Sequence, residues 1–225
     1  TKHIVEYGPA QKNCTQSLMI MLFSEGSESI VLGLIIPVLT VEWSMTTFQR
    51  SLLITGVYLG ATLGSGLQAI ADTYGRYHII TLAGVLQVVA GLLSAISGEF
   101  SFFLFIRFVY GAAIGMILPL SGTYIAEVTP RDLRAQQIVY SRLYWAAGTI
   151  FTGVLCYFLI AQQSEPKWRL VLFLVCLPGI YSMYIHIIHG RESPRFLLLK
   201  GRTEEARAIM TEMETLNKVE ALSNK

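Results

Sequence analysis

Long apolar stretches recur along the sequence, and they limit its fold more than any other feature. Six segments of about 20 mostly apolar residues follow one another along the 225-residue chain. They span residues 17–40, 51–71, 79–97, 102–126, 135–161 and 168–189. A helix of about 20 apolar residues is long enough to cross the hydrocarbon core of a bilayer. The sequence therefore predicts an all-α membrane protein, built as a bundle of six transmembrane helices.

The composition fits a membrane protein and excludes several other classes. Hydrophobic residues make up 53% of the chain and charged residues 14%, whereas soluble domains carry about 25% charged residues. The net charge of +2 is too small for a polyanion-binding surface, so we expect no nucleic-acid partner. The cysteines have no metal-ligand spacing, and Cys156 and Cys176 are interpreted as small apolar fillers. No metal or cofactor is expected.

The distribution of basic residues predicts the orientation in the membrane. With the N terminus inside, 12 of the 17 lysines and arginines lie in inner segments, three lie in outer loops and two lie within spans. An excess of positive charge marks the cytoplasmic side. Both termini are therefore predicted to be cytoplasmic, in the plasma membrane or an organelle. Three parts follow: a segment at 1–16, a six-helix bundle at 17–190 and a tail at 191–225.

The tail is predicted to contain an amphipathic helix. Thr203 is a suitable N-cap, and Glu204 and Glu205 lie in the first turn, where the helix dipole favours negative charge. An apolar face repeats at helical spacing and could cover either the membrane surface or the inner end of the bundle. Its residues are Ala206, Ile209, Met210, Met213 and Leu216.

Glycines at intervals of four indicate close helix packing. Gly56, Gly60 and Gly64 recur in the second span, and Gly111 and Gly115 recur in the fourth. Small residues at this spacing let two membrane helices approach closely.

Four charged residues fall within the predicted spans: Glu25, Glu28, Arg107 and Arg142. Each would cost about 2.5–3.5 kcal/mol at a helix centre, so each should face a cavity or another charge. At 1.5 Å per residue, Glu25 and Arg142 both lie at a depth of about 10–12 Å, with Glu28 one turn deeper.

Three hypotheses remain for these charges. Glu25 and Arg142 form a structural ion pair; or Glu25 or Glu28 carries a proton or balances a cationic solute; or Arg142 binds an anionic solute. Arg107 is expected to hold the bundle together. Aromatic residues at similar depth could contact a flat solute. They are Tyr58, Tyr110, Tyr140, Tyr144 and Trp145.

Three motifs place an acid and a base at the inner ends of spans. Residues 72–76 read Asp-Thr-Tyr-Gly-Arg, Glu127 is followed by Arg134, and residues 192–197 read Glu-Ser-Pro-Arg-Phe-Leu. Partly exposed ion pairs are individually weak, so such a network could open and close as a gate. Its predicted members are Asp72, Gly75, Arg76, Arg107, Glu127, Arg134, Glu192 and Arg195.

These motifs resemble those of the major facilitator superfamily of transporters. Residues 72–76 look like its D-R-x-G-R loop, Arg107 with Gly111 and Gly115 looks like its R-x-x-x-G motif, and residues 192–197 look like P-E-S-P-R-W-L. The resemblance implies one half of a twelve-helix fold, related to the other half by an axis along the membrane normal. It also implies a partner: a C-terminal half, a second copy or other membrane subunits.

One branch of this superfamily resembles the sequence at further positions. Glu25 and Glu28 resemble the D-x-x-E of synaptic vesicle glycoprotein-related and organic-ion transporters, and Tyr144-Trp145 resembles the same branch. The loop motif departs from the family at Gln68 and Thr73, which weakens its packing and charge relay.

The sequence contains no catalytic constellation, so a non-enzyme is predicted. The first functional hypothesis is half of a secondary transporter, which moves a small organic solute or ion by alternating access; proton symport is one form that this transport could take. Its binding residues would be Glu25, Glu28, Arg142, Tyr144 and Trp145. The alternative is a transporter-derived structural or accessory subunit of a larger membrane complex, without transport activity.

Overall fold

The computed structural model describes residues 8–223, without the side chains of residues 68 and 218–223. Within this range the chain forms nine α-helices. They are α1 (Pro9–Glu42), α2 (Thr47–Gly66), α3 (Gln68–Tyr74), α4 (Arg76–Ala95), α5 (Phe100–Val128), α6 (Arg134–Cys156), α7 (Trp168–His189), α8 (Pro194–Leu199) and α9 (Thr203–Ser223). A 3-10 turn precedes α6, and a π-helical turn extends it to Ala161.

Six helical segments of the described chain are long and apolar enough to cross a membrane, which confirms the predicted number. They comprise α1, α2 continued by α3, α4, α5, α6 with its flanking turns, and α7. The first helix begins at Pro9 instead of residue 17, because a proline suits the first helical turn and Gln11 caps the backbone N–H of Gly8. The expected N-terminal segment is thus partly helical.

The helices form a four-helix core with two flanking helices. Helices α1, α4, α5 and α7 pack around one another, α2 packs along α5, and α6 packs along α1. The end at which α1 begins and α7 ends is called the inner end below; there the Cys14 thiol donates to the carbonyl of His189. At the opposite, outer end, Glu42 accepts hydrogen bonds from Trp168 and Arg169.

The predicted glycine stripes lie where α2 and α5 touch. A Cβ atom on Gly60 or Gly64 would lie about 2 Å from a backbone oxygen of α5, and one on Gly111 or Gly115 would lie equally close to a backbone oxygen of α2. The two stripes therefore interlock, and each helix backbone rests on the glycines of the other.

The same device joins α1 to α6. A Cβ atom on Gly26 would lie 2.0 Å from the carbonyl oxygen of Trp145, and one on Gly148 would lie 2.0 Å from that of Phe23. The Ser27 hydroxyl donates to the Gly148 carbonyl at 3.1 Å, across the same interface. These contacts fix how far α6 is shifted along α1.

The tail folds back onto the inner end of the bundle. Ala206 and Met213 of α9 are buried, while Leu216, which was also expected on the apolar face, is half exposed. Arg191, in the loop after α7, holds Glu212 of α9 through hydrogen bonds of 2.7–3.2 Å. The sequence left two positions open for this helix, the membrane surface and the inner end of the bundle, and the structure places it at the inner end.

Replacing Gly111 by alanine should destabilise the protein. The new methyl group would meet the Val57 carbonyl at 2.1 Å, and overpacking of this kind costs about 1–3 kcal/mol. Gly122 of the same helix is the matched control, because an added Cβ there meets no described atom within 4 Å. Thermal unfolding in detergent should show a lower Tm for Gly111→Ala than for Gly122→Ala. Equal Tm values would contradict the close packing of α2 on α5.

Docking of α9 should depend on pH. The hydrogen bonds from Arg191 lower the pKa of Glu212 below its usual 4.5. Because the pKa of Glu212 is lower in the folded state, the ionised carboxylate stabilises the docked helix at pH values above the pKa of the unfolded state. This stabilisation is lost as the pH falls through the pKa of the folded state. The pair is partly exposed, so its contribution is at most about 1 kcal/mol, or about fivefold in hydrogen-exchange protection of α9.

Hydrogen exchange at neutral and acid pH, corrected for intrinsic rates, measures this effect. Glu212→Gln should remove the acid-induced loss of protection, whereas Glu214→Gln, at an exposed position of the same helix, should retain it. Identical pH profiles for the two variants would exclude the Arg191–Glu212 pair as the cause.

Candidate functional site

A layer of polar side chains crosses the middle of the bundle. One apolar cluster lies toward the inner end and contains Leu18 and Met21; another lies toward the outer end and contains Val31 and Ile35. The side chains between them form what we call the polar layer. Its members are Glu25, Glu28, Gln87, Arg107 and Tyr110, all of them buried.

The centre of the polar layer is an ion pair between Glu28 of α1 and Arg107 of α5. The Nη1 atom of Arg107 donates to Oε2 of Glu28 at 2.8 Å, and both side chains are 1% exposed. The other carboxylate oxygen accepts a hydrogen bond of 3.3 Å from the Cys176 thiol of α7. Arg107 also stacks over the rings of Phe103 and Tyr110. Both oxygens of Glu28 are thus used.

The expected ion pair between Glu25 and Arg142 is wrong, because no described nitrogen of Arg142 comes within 4 Å of a carboxylate oxygen. The packing of α6 on α1 explains the difference. Gly148 is level with Phe23 and Ser27, so the Arg142 backbone lies six residues, or about 9 Å, nearer to the inner end. Equal depth from the helix ends was a poor guide, because α1 begins eight residues earlier than expected.

Glu25 is a buried acid with one carboxyl oxygen unused. It is 1% exposed, and its Oε2 atom makes no hydrogen bond to any described residue. The Trp145 indole is close enough to act on this carboxyl, but its nitrogen also lacks a hydrogen-bond acceptor within the described part of the chain. An ionised carboxylate without a counter-ion would be costly in this position, so the position favours the uncharged form of Glu25.

The structure divides the remaining predicted binding residues between two flanks of α6. Tyr144 lines an apolar groove with Phe151 and with Pro178 of α7. Arg142 precedes Tyr144 by two residues, and so by about 200° around the helix; its exposed side chain lies on the flank away from α7. The structure therefore brings Trp145 close to Glu25 and pairs Glu28 with Arg107, and it does not bring Tyr144 to either acid.

A pocket of about 210 Å³ opens between α1, α2 and α5, beside the ion pair. It belongs to the surface between α2 and α6 whose floor is formed by α1 and α5, which we call the open side. Glu28, Arg107 and Tyr110 line the pocket, together with Ser29 and Tyr58. Three buried donor atoms of these residues have no acceptor among residues 8–217: Nε and Nη2 of Arg107 and the Tyr110 hydroxyl.

Ion pairs and backbone hydrogen bonds join four of the predicted gating residues at the inner end. Arg76 contacts Asp72 at 3.0 Å and Glu127 at 3.4 Å. Glu192, from the loop after α7, accepts hydrogen bonds from the backbone N–H groups of Arg76 and Tyr77 and so caps the start of α4.

Gly75 and the two remaining arginines complete this end of the bundle. Gly75 has φ +105°, and a Cβ atom there would lie 2.0 Å from Glu192, so glycine is required for the cap to form. Arg134 donates to the Thr129 carbonyl at 3.1 Å. Arg134 and Arg195 line a separate inner pocket of about 350 Å³ with Glu127. Arg107, predicted as part of this network, belongs to the polar layer instead.

Sequence reasoning missed Gln87 and the role of Cys176. Cys176 was interpreted as an apolar filler, but its thiol donates a hydrogen bond to Glu28. No signal in the sequence links it to Glu28, because the two residues come from different helices. The joint position of Arg107 and Tyr110 could have been found, because residues three apart share a helix face.

Comparison with known proteins identifies the family of this chain. Residues 6–224 match the family described as "Sugar (and other) transporter". The putative transporter svop-1 of Caenorhabditis elegans is 32% identical over 199 residues, covering 88% of this chain and 37% of the relative. The synaptic vesicle 2-related protein of Xenopus laevis is 29% identical over 214 residues, covering 95% and 38%.

A solved structure shows the same fold. The proton:xylose symporter XylE of E. coli superposes with a TM-score of 0.79 at 19% identity, over 92% of this chain and 51% of that chain. The six spans and the polar layer therefore define a multi-pass membrane protein with the fold of a transporter half. This chain belongs to the sugar (and other) transporter family and is similar to synaptic vesicle 2-related proteins. It spans less than two fifths of the length of these two curated relatives.

The Glu28–Arg107 pair should be strongly coupled in stability. Glu28→Gln would leave a guanidinium buried without a counter-ion, which costs about 3–5 kcal/mol. The double variant Glu28→Gln with Arg107→Gln removes both charges, so it should recover much of that loss. Unfolding of the wild type, both single variants and the double variant in detergent measures the coupling. Additive losses in the double variant would show that the pair contributes nothing as a pair.

Proposed function

We propose that this chain forms the half of a secondary transporter that carries the proton-coupling site, with both termini cytoplasmic, and that it moves a small organic solute by alternating access. One observation carries the proposal: the buried Glu28–Arg107 ion pair lies beside a pocket at the level of the polar layer. Charged residues within membrane spans are costly and usually mark a substrate or ion pathway.

Glu28 is the better candidate for the proton carrier. It lines the pocket and has a guanidinium to pair with when it is ionised. Protonation would neutralise it and release Arg107, so one proton would switch the charge of the site. Glu25 has no such counter-ion within 4 Å among the described residues, and we expect it to stay protonated throughout the cycle.

The inner network supports alternating access. Arg76, Asp72 and Glu127 join the ends of α3, α4 and α5 through two ion pairs, of which the Arg76–Asp72 pair is largely exposed at Asp72. An exposed pair of this kind is weak enough to break during a transport cycle. One relative is described as a putative transporter, and the solved structure with the same fold is a proton:xylose symporter, which favours transport over the alternative of an accessory subunit.

Uptake into proteoliposomes tests the proposal. The protein encoded by the whole gene that contains this chain would be reconstituted, and entry of xylose, benzoate and tetraethylammonium would be followed as a neutral, an anionic and a cationic solute. We expect at least one solute to enter faster at external pH 5.5 than at pH 7.5, because an inward proton gradient drives a proton-coupled carrier.

Glu28→Gln should abolish this pH dependence, because the amide cannot take up the proton. The double variant Glu28→Gln with Arg107→Gln controls for misfolding, since it should fold better than the single variant yet remain insensitive to pH. Loss of pH dependence in Glu25→Gln instead would move the proton to Glu25. Entry of all three solutes at the rate of protein-free liposomes would overturn the proposal.

A further inference from the structure

The pocket beside the ion pair has an excess of hydrogen-bond donors. Both oxygens of Glu28 already have partners, Arg107 and Cys176. The three donor atoms without an acceptor within the described residues belong to Arg107 and Tyr110, which are each 1% exposed and line the pocket. Buried donors are normally satisfied, so the occupant of this pocket must supply acceptor oxygens.

The geometry of the unused atoms narrows the chemistry of that occupant. Nε and Nη2 form one side of the planar guanidinium, and two parallel N–H groups on that side match the two oxygens of a carboxylate. Glu28 contacts Arg107 only through Nη1, so it leaves this side free. A single hydroxyl or carbonyl oxygen would have to be shared between the two N–H groups and carries no full charge, so it would be the weaker partner.

The charges on the open side favour the same class of solute. Glu28 and Arg107 cancel each other, while Arg142 is exposed on the flank of α6 that faces away from α7 and has no acid within 4 Å in the described chain. The open side therefore carries an uncompensated positive charge at membrane depth, which attracts anions. A pocket of about 210 Å³ holds a carboxylate with a small organic body.

We propose that the solute is a small organic carboxylate, bound through its two oxygens by Nε and Nη2 of Arg107 and by the Tyr110 hydroxyl. The inference rests on the proposed function and names the solute class for the same site. A bound carboxylate would place two anionic groups around one guanidinium. Proton uptake by Glu28 would then accompany binding, which is the coupling that a proton symporter requires.

Binding to the protein encoded by the whole gene that contains this chain, purified in lipid nanodiscs, tests the inference without any transport. The probes are benzoate, benzamide and benzylamine, which have similar bodies with an anionic, a neutral and a cationic head group. Each would be titrated by calorimetry, with sodium chloride as the control for ionic strength. We expect benzoate to bind at least tenfold more tightly than benzamide and benzylamine, because only benzoate can use both N–H groups with a full charge.

Tyr110→Phe and Tyr124→Phe form a matched pair for this test. Both tyrosines are fully buried on α5, but the Tyr124 hydroxyl donates to the Arg191 carbonyl, whereas the Tyr110 hydroxyl has no acceptor among the described residues. Tyr110→Phe should keep or raise the Tm of the free protein and weaken benzoate binding about tenfold. Tyr124→Phe should lower the Tm and leave benzoate binding unchanged. Arg107→Lys, which keeps the charge but loses the planar fork, should also weaken binding.

Two results would overturn the inference: benzoate binding no tighter than benzamide binding, or equal benzoate affinity for the wild type and Tyr110→Phe. In either case the unused donors serve bound water alone. If pH-dependent uptake of another solute persists, the transporter proposal stands and only the carboxylate is wrong. If benzoate binds but no solute is transported, the binding site stands and the transporter proposal fails.

Discussion

The rest of the bundle is arranged around the buried ion pair between Glu28 and Arg107. Neither charge could remain alone at this depth, because an unpaired arginine or carboxylate in a span costs several kcal/mol. The pair therefore keeps α1 and α5 at a fixed level, with apolar clusters on both sides of the polar layer. Both side chains are 1% exposed, so separating them would leave a buried charge without a counter-ion unless a proton or another charged group replaced its partner. If the proposed function is correct, the interaction that holds α1 and α5 together is also the one that responds to protons and solutes.

Glycine contacts explain why a pocket opens next to this pair. Helix α2 approaches α5 at Gly60 and Gly64, and α6 approaches α1 at Gly26 and Gly148, so closely that a Cβ atom would not fit. Each flanking helix is thereby tied to one core helix, while the space between the two pairs is left open. The surfaces interlock through backbone atoms that cannot change rotamer, so we expect each pair to move as a unit. Motion would then occur between the pairs or against whatever covers the open side.

The number of spans and the interlocking glycines follow from the sequence because both are properties of single helices. Apolar length and a four-residue spacing can be read along one segment.

The partner of each charge could not be predicted in this way. Glu25 and Arg142 lie at similar distances from their expected helix ends, but the contact of Gly148 with Phe23 shifts Arg142 toward the inner end. The choice of Arg107 as the partner of Glu28 depends on this packing. The separation of Tyr144 from Arg142 could have been predicted, because residues two apart lie on opposite faces of a helix.

The open side cannot face acyl chains along its whole length. Arg142 is exposed there, and the pocket floor contains an ion pair with unused donors; lipid offers neither charge nor acceptors to such groups. Water, a solute or protein of complementary character must face this surface. The relatives are more than twice as long as this chain, and the fold it shares with XylE covers about half of that transporter. A second group of helices in front of the open side would enclose the pocket and complete a central path. Such an arrangement would leave the Glu28–Arg107 pair on the wall of that path, where a proton can reach it from whichever end is open.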